Sequence, residues 1–121
     1  MSAKIRIVHI ITRLEPGGSS RNTVDSCAAQ AGDFDVTLIS GPHPGSAALL
    51  RLLPPAVTYI ELPDIQREIR AAKDFRAMLA IKRELEKLEP DIVHTHTSKA
   101  GALGRLAAAL YNTPVKKTAV L

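Results

Sequence analysis

Short β-branched runs alternate with helix-forming stretches along the whole chain, and that alternation admits few folds. The run Ile5-Arg6-Ile7-Val8-His9-Ile10-Ile11 suits a mostly buried strand, residues 35–40 and 57–62 read as a second and third, the segment after Pro90 as a fourth, and residues 114–121 begin a fifth. Between them, Ser19 and Ser20 can cap a helix running to about residue 31, and residues 46–53 can make two helical turns before Pro54-Pro55. Residues 64–89 read as helix in two pieces with Asp74 as a new cap, because Phe75, Met78, Ile81, Leu85 and Leu88 recur at helical spacing. Ser98 can cap a last helix to about residue 111. Strands separated by helices imply right-handed crossovers and a parallel sheet with helices on both faces. The expected architecture is therefore α/β, a Rossmann-like sheet of strand order 3-2-1-4-5.

In that order the first and fourth strands are neighbours where the winding reverses, and ligands of such sheets collect in the crevice at the carboxyl ends of the strands there. Two sequence features meet at this point. One is the Glu15-Pro16-Gly17-Gly18 turn after the first strand. The other is Pro90-Asp91-Ile92-Val93-His94-Thr95-His96-Thr97-Ser98-Lys99-Ala100-Gly101, an apolar strand that runs directly into a helix start and leaves His96 at the junction. Two glycines let a backbone approach a phosphate closely, with the next helix offering unpaired N–H groups and a positive dipole end; a plain tight turn uses the same residues. The segment lacks both the G-x-G-x-x-G and the lysine-bearing phosphate-loop patterns, and no acidic residue closes the second strand to hold a ribose, which argues against a dinucleotide site.

His94 and His96 point the same way along a strand. A catalytic zinc wants three protein ligands, and His9 and His43 have no spacing that supplies the third, so no metal is expected. His94 reads as a hydrogen-bonded structural histidine, and His96, at the strand end, is placed to touch a ligand oxygen. Lys99 lies in a first helical turn, where a cation is disfavoured; either an anionic ligand or solvent compensates it. Gly101, Gly104 and Ala108 form a small-residue stripe that lets the helix approach the sheet.

With 121 residues, of which 45% are hydrophobic, the chain is expected to form one domain over residues 1–121 with one modest core. Its single cysteine, Cys27, excludes an internal disulfide and a cysteine-rich zinc cluster, and fits a reducing compartment. The amino terminus reads neither as a signal peptide nor as a membrane span, so the expected location is cytoplasmic. A net charge of +4 suits an anionic partner, but the two Phe, two Tyr and absent Trp leave no base-stacking platform, so nucleic acid is not expected. The basic residues of 64–89 are interspersed with Glu68, Glu84, Glu86 and Glu89, as on an ordinary solvated helix, although such a face can also touch an acidic membrane.

The opening strand with its Glu15-Pro16-Gly17-Gly18 turn, the 90–96 segment, and Ser98-Lys99-Ala100-Gly101-Ala102-Leu103-Gly104-Arg105-Leu106-Ala107-Ala108 together resemble the amino-terminal half of family 4 glycosyltransferases, enzymes of two-domain GT-B architecture. The likeness covers nearly the whole chain and is nearest to members that build bacterial capsule, exopolysaccharide or lipopolysaccharide sugars. It implies transfer of a sugar from a nucleotide diphosphate sugar to a glycan or lipid-linked acceptor hydroxyl, with retention at the anomeric carbon, no required metal and no cofactor beyond the donor. By the same resemblance His96 is the catalytic-cleft histidine that contacts the donor sugar. Gly17 and Gly18 match the glycine loop near the donor diphosphate and acceptor, and Ser98 and Lys99 follow as further donor or acceptor contacts.

The carboxyl half that carries the nucleotide pocket in that family has no counterpart in this sequence, so the chain is expected to be inactive alone and to need that domain or a partner subunit. A domain of a longer enzyme, a truncated product and one subunit of a split transferase all fit, and the break inside the fifth strand favours truncation. A non-catalytic Rossmann-like binding module is the alternative. Peripheral contact with the inner face of the cell membrane, and self-association through an open fifth-strand edge carrying Val115, Ala119 and Val120, are further expectations.

Overall fold

A computed structural model of the chain describes residues 4–112 and 119–120. Five parallel strands, β1 (Arg6–Arg13), β2 (Asp35–Gly41), β3 (Thr58–Glu61), β4 (Ile92–Thr95) and β5 (Ala119–Val120), form one sheet in the order β3-β2-β1-β4-β5. This is the expected Rossmann-like order. Val115 and most of the expected fifth strand lie outside the described residues; Ala119 and Val120 pair with Ile92 and Val93.

Strand alternation sends neighbouring side chains to opposite faces. One face of the sheet, with Val8, Ile10, Ile39 and Val93, packs under α3 (Ala71–Leu88) and α4 (Ser98–Tyr111) through Ala77, Ile81, Leu85, Leu103 and Ala107. The other, with Ile11, Val36 and Leu38, packs under α1 (Gly18–Gln30) and α2 (Ala47–Leu50) through Val24, Cys27 and Leu49. Cys27 is fully buried, and burial pushes its thiol up to about 12, so it is an inert packing residue.

Three helix starts differ from the sequence expectation. Gly17, not Ser19 or Ser20, is the residue before α1, at φ 155°, a backbone angle L side chains rarely adopt. Thr97, not Ser98, precedes α4. The 64–89 region holds one helix rather than two, because α3 begins only at Ala71; Asp74 sits inside its first turn, where Oδ2 accepts a hydrogen bond from the Arg70 N–H at 3.2 Å. Residues 64–70 stay non-helical because Ile65 is drawn into the core, 1% exposed, with its carbonyl against Gly41. The small-residue stripe on α4 does let it approach the sheet: a Cβ on Gly104 would lie 2.8 Å from Thr95 Cγ2, whereas one on Gly101 would meet Thr95 Oγ1 at an ordinary 3.5 Å.

Candidate functional site

β1 and β4 are paired in register, Ile7 to Ile92 through Ile10 to Thr95, so the chain leaves both at one place on the sheet rim. Thr12 and Thr97 join the two exits. Their hydroxyls are 2.6 Å apart, and the Thr12 N–H donates to Thr97 Oγ1 at 3.2 Å. Because that hydroxyl is turned to β1, α4 has no side-chain cap, and neither does α1; neither helix has an acidic residue in its first turn. Between the two helix starts opens a cavity of about 450 Å³ whose walls include Gly17, Gly18, Ser98 and Lys99. Four of the five residues singled out from sequence thus border one cavity, and two uncapped helix amino ends supply it with unpaired N–H groups and positive dipole ends.

Its cations are arranged differently from the sequence expectation. Lys99 has a counter-charge within the fold: Nζ is 2.7 Å from Asp74 Oδ1, both side chains are largely buried, and Nζ also donates to the Glu68 carbonyl. The hydrogen bond from Lys99 holds the Asp74 carboxyl below its ordinary value. Lys99 therefore ties α4 to α3 and to the loop before it. Arg13 is paired with Glu15 at 2.8 Å. Arg67, on that loop, is the lining cation that forms no salt bridge among the described residues. The sequence reading had placed Arg67 on a solvated helix face, and it reaches the cavity because residues 64–70 are not helical.

His96 does not line this cavity. Its ring turns to the α1 side of the sheet and meets two others. His9 Nδ1 and His96 Nε2 are 2.8 Å apart, and His9 Nε2 lies 2.7 Å from Gln30 Oε1 at the end of α1. His94 is placed by ring stacking, with its centroid 4.2 Å from that of His96 and 5.2 Å from that of His9. The three present ligand-type nitrogens within 4.8 Å of one another. Sequence spacing offered no third partner for His94 and His96; sheet pairing supplies it, because His9 is directly opposite His94. The His9–His96 contact is nonetheless a hydrogen bond, closer than the separation of about 3.3 Å between nitrogens that each lie about 2.0 Å from a tetrahedral zinc. Burial, with the neighbouring His94 and His9 adding to it, lowers His96 to about 4, and burial lowers His9 as well. Both rings are neutral near pH 7.

Comparison with known proteins identifies the family and the fold. The model of Glycosyltransferase Family 4 matches residues 16–118. The UDP-Gal:alpha-D-GlcNAc-diphosphoundecaprenol alpha-1,3-galactosyltransferase of Escherichia coli is 34% identical over 116 residues, which is 93% of this chain and 28% of that protein. Among solved structures, UDP-GlcNAc 2-epimerase from Methanocaldococcus jannaschii superposes with a TM-score of 0.63 at 16% identity, over 88% of this chain and 29% of the other, a likeness of fold. The chain thus spans little more than a quarter of its curated relative, and the family match runs through the glycine turn, the β4–α4 junction and the cavity between them. By that match this chain belongs to glycosyltransferase family 4.

Proposed function

We propose that the chain, as one domain over residues 1–121, is the acceptor-side Rossmann-like half of a retaining glycosyltransferase, which moves a sugar from a nucleotide diphosphate sugar to a lipid-linked acceptor during synthesis of a cell-surface polysaccharide. The observation that carries this reading is the cavity walled by two uncapped helix starts. Gly17 and Gly18 give backbone N–H groups and close approach to diphosphate oxygens, Ser98 offers a hydroxyl at the opposite wall, and Arg67 supplies positive charge. Lys99 acts by fixing the wall that carries Arg67. His96, neutral and beside the junction, contacts a sugar hydroxyl. No metal enters this scheme, since amide dipoles and arginine take over the stabilisation of pyrophosphate charge.

A single Rossmann-like half leaves the cleft open, so solvent is not excluded and most donor contacts are missing. The 13.0 kDa chain alone is therefore expected to give no steady transfer of a radiolabelled sugar from a nucleotide sugar to a polyprenyl-diphosphate sugar. The native gene product, whose intact mass should exceed that of this chain, is expected to do so, with His96→Ala slowing transfer by about 100-fold, the scale of losing a positioned contact. Steady turnover by the chain alone would overturn the half-cleft reading. A native product of the same mass and no activity would leave a subunit or a non-catalytic binding module.

The lipid-linked acceptor calls for contact with a membrane surface, and one patch fits it. No helix among the described residues is long and apolar enough to cross a membrane. Ile69 is 90% exposed and Phe75 59%, and Arg67, Arg70 and Arg76 flank them in sequence. Exposed apolar side chains amid cations suit peripheral binding to the inner, anionic leaflet. Binding to vesicles containing acidic lipid is expected to fall more than about tenfold in an Ile69→Asp/Phe75→Asp double variant, since each side chain contributes about 1.5–3 kcal/mol when buried. Equal sedimentation of wild type and variant would remove this surface from the proposal.

A further inference from the structure

His9 occupies an unexpected position for an imidazole. It lies in the middle of β1 among Ile7, Val8, Ile10 and Ile11, fully buried, where packing alone calls for an aliphatic side chain. It is kept there by partners on both nitrogens, and those partners fix where its proton sits. Gln30 Oε1 can only accept, so the 2.7 Å contact puts the proton on His9 Nε2. A neutral ring protonated at Nε2 has a bare Nδ1. The 2.8 Å contact at Nδ1 therefore draws its proton from His96 Nε2, and a neutral His96 protonated there is bare at Nδ1. The backbone of Gln30 is anchored, because its carbonyl accepts from the N–H groups of Asp33 and Phe34 at 3.1 and 2.9 Å in the turn that ends α1.

We propose that Gln30 and His9 are positioning residues that hold His96 as its Nε2–H tautomer, so that this histidine meets its ligand as a hydrogen-bond acceptor through Nδ1. The ligand group that fits is a hydroxyl, as on a sugar, which donates to that lone pair; a phosphoryl oxygen, which only accepts, does not. This assignment rests on the reading of His96 as a sugar contact and sharpens it, because the ring's only N–H is already used inside the protein. The low basicity of both rings agrees, since neither is a cation that would attract phosphate near pH 7. A hydrogen bond at one ring nitrogen is what fixes tautomer and ring orientation at other histidine sites.

The test is the imidazole nitrogen spectrum of the uniformly nitrogen-15-labelled chain near pH 7, with long-range correlations to the ring carbons' protons, which reports the protonated nitrogen of each histidine without any substrate. The expected result is Nε2–H with bare Nδ1 for both His9 and His96. In Gln30→Leu the single pattern of His96 is expected to be lost to a mixture of tautomers while the fold persists. His96 protonated at Nδ1 in the wild type, or a His96 pattern unchanged in Gln30→Leu, would overturn the proposal. So would equimolar zinc that displaces the His9–His96 bond, which would make the trio a metal centre. Loss of the sugar reading is recognised separately, as full transfer by His96→Ala in the native product.

Discussion

Replacing Gly41 by alanine is expected to destabilise the fold by about 3 kcal/mol, near the upper end for forcing extra volume into a packed site. At the end of β2, a Cβ on Gly41 would collide with the carbonyl of Ile65 and lie 2.7 Å from that of Thr12. Both obstacles are backbone, so no rotamer change relieves them. The strand end must move away from β1, or Ile65 must leave the core, and either displaces a part of the site: Thr12 on the cavity wall, or the loop that carries Arg67. For a domain of this size the loss corresponds to a fall in melting temperature of roughly 10–15 °C. Gly104→Ala is the comparison, because there the nearest atoms are the side-chain carbons Thr95 Cγ2 at 2.8 Å and Ile10 Cδ1 at 3.3 Å, which can shift, and about 1–2 kcal/mol is expected. Urea unfolding of the two variants checks the order. A Gly41→Ala protein within about 1 kcal/mol of wild type would mean that Ile65 does not sit where it is placed here.

That loop also shows where sequence reasoning stops. Strand identities and order were legible because β-branched runs and Pro or Gly breaks are local signals, and right-handed crossovers leave few ways to connect them. The start of α3 was not legible. Residues 64–70 carry helix-forming Gln66, Arg67 and Glu68, and contacts between distant segments, burial of Ile65 against β2 and the hydrogen bond from Lys99 to the Glu68 carbonyl, hold them out of the helix. The caps failed for a related reason. Ser19, Ser20 and Ser98 are good capping types, yet Gly17 and Thr97 take the cap positions: the first turns the chain at φ 155°, and the second has its hydroxyl engaged by Thr12.

The site was half legible in the same sense. Gly17, Gly18, Ser98 and Lys99 reach one cavity because the switch point of the sheet brings β1 and β4 together, a consequence of topology alone. What Lys99 does there depends on Asp74, which no spacing connects to it, and the orientation of His96 depends on His9 and Gln30. One signal for His9 was present, an imidazole inside an otherwise aliphatic strand, but its partner becomes visible only when β1 and β4 are set in register.

The buried histidine pair also dictates how the fold responds to acid. Both His9 and His96 have folded-state pKa values below 6.5, so between that value and the folded one, about 4 for His96, the unfolded chain binds protons that the native chain does not. Their contribution to stability is complete above pH 6.5 and is lost as pH falls through this window. One fully linked proton gives a slope of about 1.4 kcal/mol per pH unit. His96 is only half-buried, so solvent screening reduces its share to about 1 kcal/mol per unit, and His9 adds in the same direction. Urea unfolding at pH 5 is therefore expected to give a stability lower than that at pH 7 by at least about 1.5 kcal/mol, the share of His96 over the 1.5 units below pH 6.5, while His96→Ala, whatever its stability at pH 7, loses about 1 kcal/mol per unit of the slope. Asp74 does not interfere in this range. Its carboxyl is held below 3.8 by Lys99, so that pair's contribution is present above pH 3.8 and lost only as pH falls further. Stabilities at pH 7 and pH 5 that agree within about 0.5 kcal/mol would mean that the imidazoles take up protons in place, and that the hydrogen-bonded chain from Gln30 to His96 does not hold in solution.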